Sequence, residues 1–173
     1  MDEYRAITTT DDLDQLFEVT TILDSGDREA LLSYVSNQKP VDFALIARDL
    51  DAEQLQELSD LLPTAYLAKL TEDADETLRL KIAGAMDNPT LVLVLSHMAS
   101  DDAADLLGEL AHERSCELLA NMRFADRTVL TKLMSYPQES AGSIMTTSFI
   151  ALREDCTVAD CLATIRDKGS RTE

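Results

Sequence analysis

The 173 residues carry 15 basic against 33 acidic side chains, a net charge of −18, so phosphate backbones and anionic lipid surfaces repel the chain while cations or a basic surface attract it. Apolar residues make up 45% and aromatics 5%, with no Trp, five Gly and four Pro, which favours an aliphatic core of packed helices and an all-α fold. No run of apolar residues reaches the length of a membrane span, so nothing in this stretch is expected to insert into a bilayer.

The opening Met1-Asp2-Glu3-Tyr4-Arg5 lacks the basic and then apolar stretch of a secretory signal. The cysteines, Cys116, Cys156 and Cys161, are odd in number and late in the chain, which suits free thiols in a reducing, cytosolic compartment. Residues 11–24 and 28–37 carry apolar side chains at helical spacing and are parted by Ser25-Gly26-Asp27. They predict a helical pair that caps whatever follows.

From Pro40 onward the chain repeats every 12 residues, and one column reads Ile46, Leu58, Leu70, Ile82, Val94, Leu106, Leu118 and Leu130. Four residues later comes Leu50, Leu62, Ala74, Met86, Met98, Leu110, Met122 and Met134. A separation of one helical turn places both columns on one face. Each unit is expected to be a helix of about ten residues, about 15 Å long, and two units make a helical hairpin of solenoid size. Such short helices are marginal alone and need neighbours.

The prolines agree. Pro40 precedes the first counted unit, Pro63 follows a unit's last apolar residue, and Pro89 sits in a first turn after Asp87-Asn88. Ser100 before Asp101-Asp102 predicts an N-cap followed by acids that the helix dipole favours. The weakest unit holds Ala74 within Thr71-Glu72-Asp73-Ala74-Asp75-Glu76, which reads as a solvated bend. The Met column is core filling.

After Tyr136-Pro137 the pattern changes. Residues 145–153 are richer in β-branched types and predict a strand, and 157–168 predict an amphipathic helix through Val158, Cys161, Leu162 and Ile165. The expected division is a helical-repeat domain over 1–135 and, over 136–173, the start of a mixed α/β domain that the chain does not complete. Such an open fragment packs poorly unless it docks.

Three stretches carry a resemblance. Gly26-Asp27-Arg28-Glu29-Ala30-Leu31 with Pro40-Val41-Asp42-Phe43-Ala44, and Asp101-Asp102-Ala103-Ala104-Asp105-Leu106-Leu107, are similar to the MgtE family of magnesium transporters. The most specific is Tyr136-Pro137-Gln138-Glu139-Ser140-Ala141-Gly142-Ser143-Ile144-Met145-Thr146, which resembles the junction between that family's N domain and its first CBS domain. Ala151-Leu152-Arg153-Glu154-Asp155-Cys156-Thr157-Val158 then resembles the opening of the CBS domain.

The resemblance implies a right-handed superhelical solenoid of short helices, with a CBS-like fragment at its C-terminus, at the cytoplasmic face of a cell membrane. Its partners would be the CBS and transmembrane regions of the same full-length protein, which would be a homodimer. Mg2+ between N and CBS domains would hold the pore closed, and loss of Mg2+ would let the domains part. Like-charged surfaces that repel until a divalent ion bridges them make the ion a conformational ligand.

Asp101 and Asp105 match the family's Mg2+ positions and lie four apart on one helix, so both carboxylates point to one side. The helix dipole alone would account for Asp101, and it accounts for the neighbouring Asp102 as well, the third candidate ligand. Asp105 lies beyond the first turn. Where family members carry an interface acid this chain has Lys69, which could replace a bridging ion by a direct salt bridge.

Other candidates have plainer readings. Glu72, Asp73, Asp75 and Glu76 suit a solvated turn, and His97 a surface position. His112 and Cys116 share a helix side, but Cys116 occupies a column of small or apolar residues (Ala44, Ala68, Ala104) and is expected to be a core thiol. Phosphate loops, nucleophile elbows and base–orienter sets are missing, so the chain is not expected to be an enzyme. A helical protein-interaction scaffold, an architecture also used by flagellar motor switch proteins, is the competing reading, and the Tyr136 junction argues against it.

Overall fold

The computed structural model describes residues 10–137, 140–142, 145 and 149–168. The predicted capping pair is α1 (Thr10–Ser25) and α2 (Arg28–Ser36). Gly26 turns the chain between them at φ 65°, and Asp27 caps α2 by accepting from the Ala30 N–H at 3.0 Å. The positive φ is what a glycine at that position supplies.

Eight helices then begin at 12-residue intervals: α3 (Pro40–Ala47), α4 (Ala52–Leu61), α5 (Thr64–Asp73), α6 (Glu76–Ala85), α7 (Asn88–Leu95), α8 (Ser100–Glu109), α9 (His112–Asn121) and α10 (Phe124–Met134). After a gap comes α11 (Val158–Lys168). Helices pack on the next but one. α3, α5, α7 and α9 make one row, α4, α6, α8 and α10 the other, and α1 touches α2, α3 and α4 at the start of the stack. This is the hairpin solenoid expected of the doubled period. Every member of the Ile46–Leu130 column is at most 6% exposed.

The second column, buried from Leu50 to Met122 apart from a partly buried Leu110, reaches the core by a different route from the one its spacing predicts. Leu62, Ala74, Met86, Leu110 and Met122 are not helical but stand at C-caps with φ between −86° and −76° and ψ between 146° and 158°. A residue's φ sets the direction of its side chain relative to the preceding helix, and its ψ sets where the following chain goes. These residues keep a near-helical φ, so the side chain stays on the core face while the backbone turns away. The N–H groups of Leu62, Met86 and Leu110 still close the last helical turn on Leu58, Ile82 and Leu106.

Four other expectations need correction. Ser100 is the first residue of α8, and the N-cap is Ala99, which has no side-chain oxygen to cap with. The segment Thr71–Glu76 is not a solvated bend: α5 runs through Asp73, Thr71 and Ala74 are buried, and Thr71 Oγ1 donates to the Leu67 carbonyl at 2.7 Å. Cys116 is exposed, not a core thiol. Met134 is 38% exposed at the foot of its column. Both lie in α9 and α10, the last members of the two rows, and a terminal repeat has a neighbour on one side only.

A third column escaped the sequence reading. Phe43, Leu55, Leu67, Leu91, Ala103 and Ser115, at the fourth position of their helices, are all buried. Arg79 stands in that column at α6, in the middle of the stack, and Arg127 at α10, its last member.

Beyond Tyr136, the predicted helix is present as α11, and Thr157 caps its start, its Oγ1 accepting from the Asp160 N–H at 3.3 Å while its hydroxyl donates to the Asp160 carboxylate at 2.6 Å. Its apolar face is exposed, with Val158 at 76%. Residues 149–153 form no strand, and the described residues hold no strand at all, so of the strand and helix expected after Tyr136 only the helix is present among them. Residues 146–148 of the expected strand lie outside the described residues. So do Met1-Asp2-Glu3-Tyr4-Arg5, the junction residues Gln138, Glu139, Ser143, Ile144 and Thr146, and the last residues 169–173. No helix among the described residues is long and apolar enough to cross a membrane.

Candidate functional site

Helix α8 is amphipathic by simple spacing. Ala103, Ala104, Leu106 and Leu107 are buried toward α6 and α10, which leaves Asp101, Asp105 and Glu109 one turn apart along the other side. The sequence reading found the first two and missed Glu109, although the spacing of four simply continues. Asp105 is exposed, whereas Asp101 and Asp102 are partly buried.

The Asp101 carboxylate is unusual in having one oxygen, Oδ1, closed off from solvent with no hydrogen-bond donor. A buried acceptor without a donor is costly, and a cation is one way to satisfy it. That orphaned oxygen, an exposed carboxylate one turn on and a third acid beyond it suit a hard divalent ion. Yet among the described residues no three His, Cys, Asp or Glu side chains converge to enclose a metal, so the arrangement is an open edge and not a cage.

Asp105 and Glu109 line a groove between α8 and α10, with Ala104, Gly108, Leu133, Met134 and Tyr136 as its other walls. Burial raises the pKa of Glu109. The Arg79 guanidinium at 3.5 Å opposes that shift, and the charges of Glu76 and Asp105 reinforce it. A carboxyl group whose pKa is raised on folding holds its proton more tightly folded than unfolded. Its contribution to stability is therefore most favourable below the unfolded pKa and is lost as pH rises through the raised folded value. Arg79, a cation at a column position that is buried in the helices on either side of it, is the sequence signal that could have exposed this cluster.

The N-terminus of α8 is capped from another helix. Glu72 Oε1 accepts from the Ala99 N–H at 2.6 Å, and Glu72 Oε2 lies 3.1 Å from Lys69 Nζ, which also reaches Asp73 at 3.4 Å. The Glu72 side chain is only 12% exposed, so it is a partly buried cap and not the solvated turn residue that composition suggests. Its hydrogen bond raises the Lys69 pKa, burial opposes, and the charges of Glu72 and Asp73 reinforce. Lys69 is thus occupied within its own helix.

Glu72→Ala is expected to lower the unfolding free energy by about 1–2 kcal/mol in urea denaturation, the range for a lost helix cap. Glu72→Gln, which keeps an acceptor for Ala99, should lose less than half of that, and equal losses would mean that the charge and not the cap matters.

The remaining candidates stay apart from this edge. His97 is exposed, with Nδ1 2.8 Å from the Leu93 carbonyl. His112 Nε2 lies 3.6 Å from Cys116 Sγ on exposed α9, with no third ligand among the described residues. Cys156 is exposed and Cys161 partly so.

Comparison with known proteins adds the following. The family profile described as the MgtE intracellular N domain matches residues 38–139. The magnesium transporter MgtE of Bacillus subtilis (strain 168) is 23% identical over 151 residues, 87% of this chain and 34% of that protein, so the chain spans about a third of its length. A crystal structure of the soluble part of a magnesium transporter superposes with a TM-score of 0.85 at 20% identity, covering 94% of this chain and 64% of that one. The cytosolic domain of the Mg2+ channel MgtE in complex with ATP gives a TM-score of 0.80 at 24% identity, over 91% of this chain and 65% of that one. At such identities the two structures establish a shared fold.

Proposed function

The chain belongs to the MgtE intracellular N domain family, and from that premise we propose that it is the cytosolic regulatory part of a magnesium transporter, in which Mg2+ controls docking of its acidic surface on a CBS domain. Residues 1–135 are the helical N domain, and residues 136–173 are the junction and the opening of the CBS domain. The partners are the CBS and transmembrane regions of the same full-length protein, assembled as a homodimer at the cytoplasmic face of the membrane. The chain's work is binding and not catalysis.

The observation that carries this reading is the open acidic edge of α8, where Asp101 Oδ1 is buried without a donor. Asp101 and Asp105 would hold the ion, with Asp102 beside them at the helix start. Bound Mg2+ supplies two positive charges and a demand for oxygen ligands that one open edge cannot meet alone. The missing ligands come from the facing domain, so the ion is held only when the two surfaces meet. Without it, the acids of this edge, on a chain of net charge −18, repel any acidic surface that faces them. The stack keeps the edge rigid, because Ala103, Ala104, Leu106 and Leu107 anchor α8 from behind and Glu72 fixes its start. Lys69, already paired with Glu72 and Asp73, supplies a fixed positive charge on α5 that takes the place of one bridging ion.

The test is small-angle X-ray scattering on a longer form that contains the complete CBS region. Millimolar Mg2+ should compact it relative to chelator. Identical profiles would sink the sensing idea. Capture of a stoichiometric soluble partner with no Mg2+ effect on shape would support a helical scaffold instead.

A further inference from the structure

Tyr136 closes the end of α10, its N–H donating to the Leu133 carbonyl at 3.1 Å, and its ring is partly buried against the core. Six residues later the chain returns to that ring. A Cβ placed on Gly142 would stand 2.6 Å from Tyr136 Cγ, 2.7 Å from Cδ1 and 3.0 Å from Cδ2. Three adjacent ring carbons at such similar distances put Gly142 over the face of the ring near its attachment, and not at its edge. The root of a tyrosine ring cannot swing aside as a flexible tip could, so only a residue without a side chain fits there. Between the two, Ser140 N–H donates to the Pro137 carbonyl at 3.2 Å, a second tie between the end of the stack and the residues beside Gly142. The same ring is a wall of the groove that Asp105 and Glu109 line.

We propose that Tyr136 and Gly142 form a clasp that sets the direction in which the chain leaves the helical stack. The segment leading to α11 then departs from the α8–α10 groove as an oriented arm and not as a free tether. This holds whatever α8 binds, and in a longer protein it would determine how the next domain is presented to the acidic edge.

Two measurements on the chain test it. In NMR spectra the Gly142 α-protons should be shifted upfield by the aromatic ring current, and Tyr136→Leu should return them to ordinary glycine positions. Spin labels on Cys116, which is exposed, and on Met145→Cys, with Cys156→Ser and Cys161→Ser, then report the spread of exit directions. Three residues separate Gly142 from position 145 and nine separate it from Tyr136, so releasing the clasp should widen the distance distribution about 1.7-fold, the square root of that ratio. Gly142→Ala should do this while the helical stack melts as before, and Tyr136→Leu should do it to the same extent despite the small loss of stability that removing a ring partly buried against the core brings. Unshifted Gly142 protons in the parent chain, or equal distance widths in all three chains, would overturn the proposal.

Discussion

Leu106→Ala is expected to lower the unfolding free energy by about 3–4 kcal/mol, well within the range for a leucine deleted from a core that cannot close around the gap. Leu106 is 0% exposed and stands on α8, the member of its row that packs on both α6 and α10. Deleting its side chain removes the transfer energy of the buried carbons and leaves a cavity between elements pinned on both sides, which limits collapse. In a solenoid each repeat depends on its neighbours, so a defect at α8 weakens two interfaces at once. Met134→Ala provides the contrast. At 38% exposure on the terminal helix it should cost about 1 kcal/mol or less. Urea denaturation followed by circular dichroism measures both, and similar losses would mean that burial along the rows does not organise the stack.

The second large effect concerns the edge and not the core. Under the proposed function, Asp105→Asn in the full-length protein should move the Mg2+ midpoint of gating upward by about tenfold, the loss of about 1.4 kcal/mol of charged-ligand interaction. The exposed side chain has no structural duty in the described fold, so thermal stability of the helical stack should hardly change. Asp101→Asn is a less clean probe, because the buried Oδ1 position would then hold an amide or its oxygen without a partner. A large loss of stability in Asp105→Asn, with gating unmoved, would make Asp105 structural and remove it from the proposed Mg2+ surface.

Much of the stack was legible in the residues alone. Helix periodicity is local, so eight aliphatic residues at one phase of a 12-residue repeat, together with Pro89 in a first turn and Gly26 at a helix end, mark where helices run and stop. The acidic edge was half legible, since Asp101 and Asp105 are neighbours on one helix by spacing. The second column shows the limit of that logic. Its burial follows from spacing for all members but Met134 and the partly buried Leu110, whereas its extended ψ does not, because ψ at a C-cap follows from where the next helix must go.

What tertiary structure alone decided are the contacts between residues far apart in the chain. Glu72 caps Ala99 from 27 residues upstream, and Arg79 meets Glu109 across 30, because helices pack on the next but one and such pairs become neighbours only when the rows form. The exposure of Cys116 and Met134 has the same origin. Their columns are mostly small or apolar, and they lose cover because the rows end with α9 and α10. The repeat thus determined by local periodicity what each helix is, and the stacking of helices determined which charges meet and which apolar residues remain in water, since both depend on a neighbour that sequence spacing does not name.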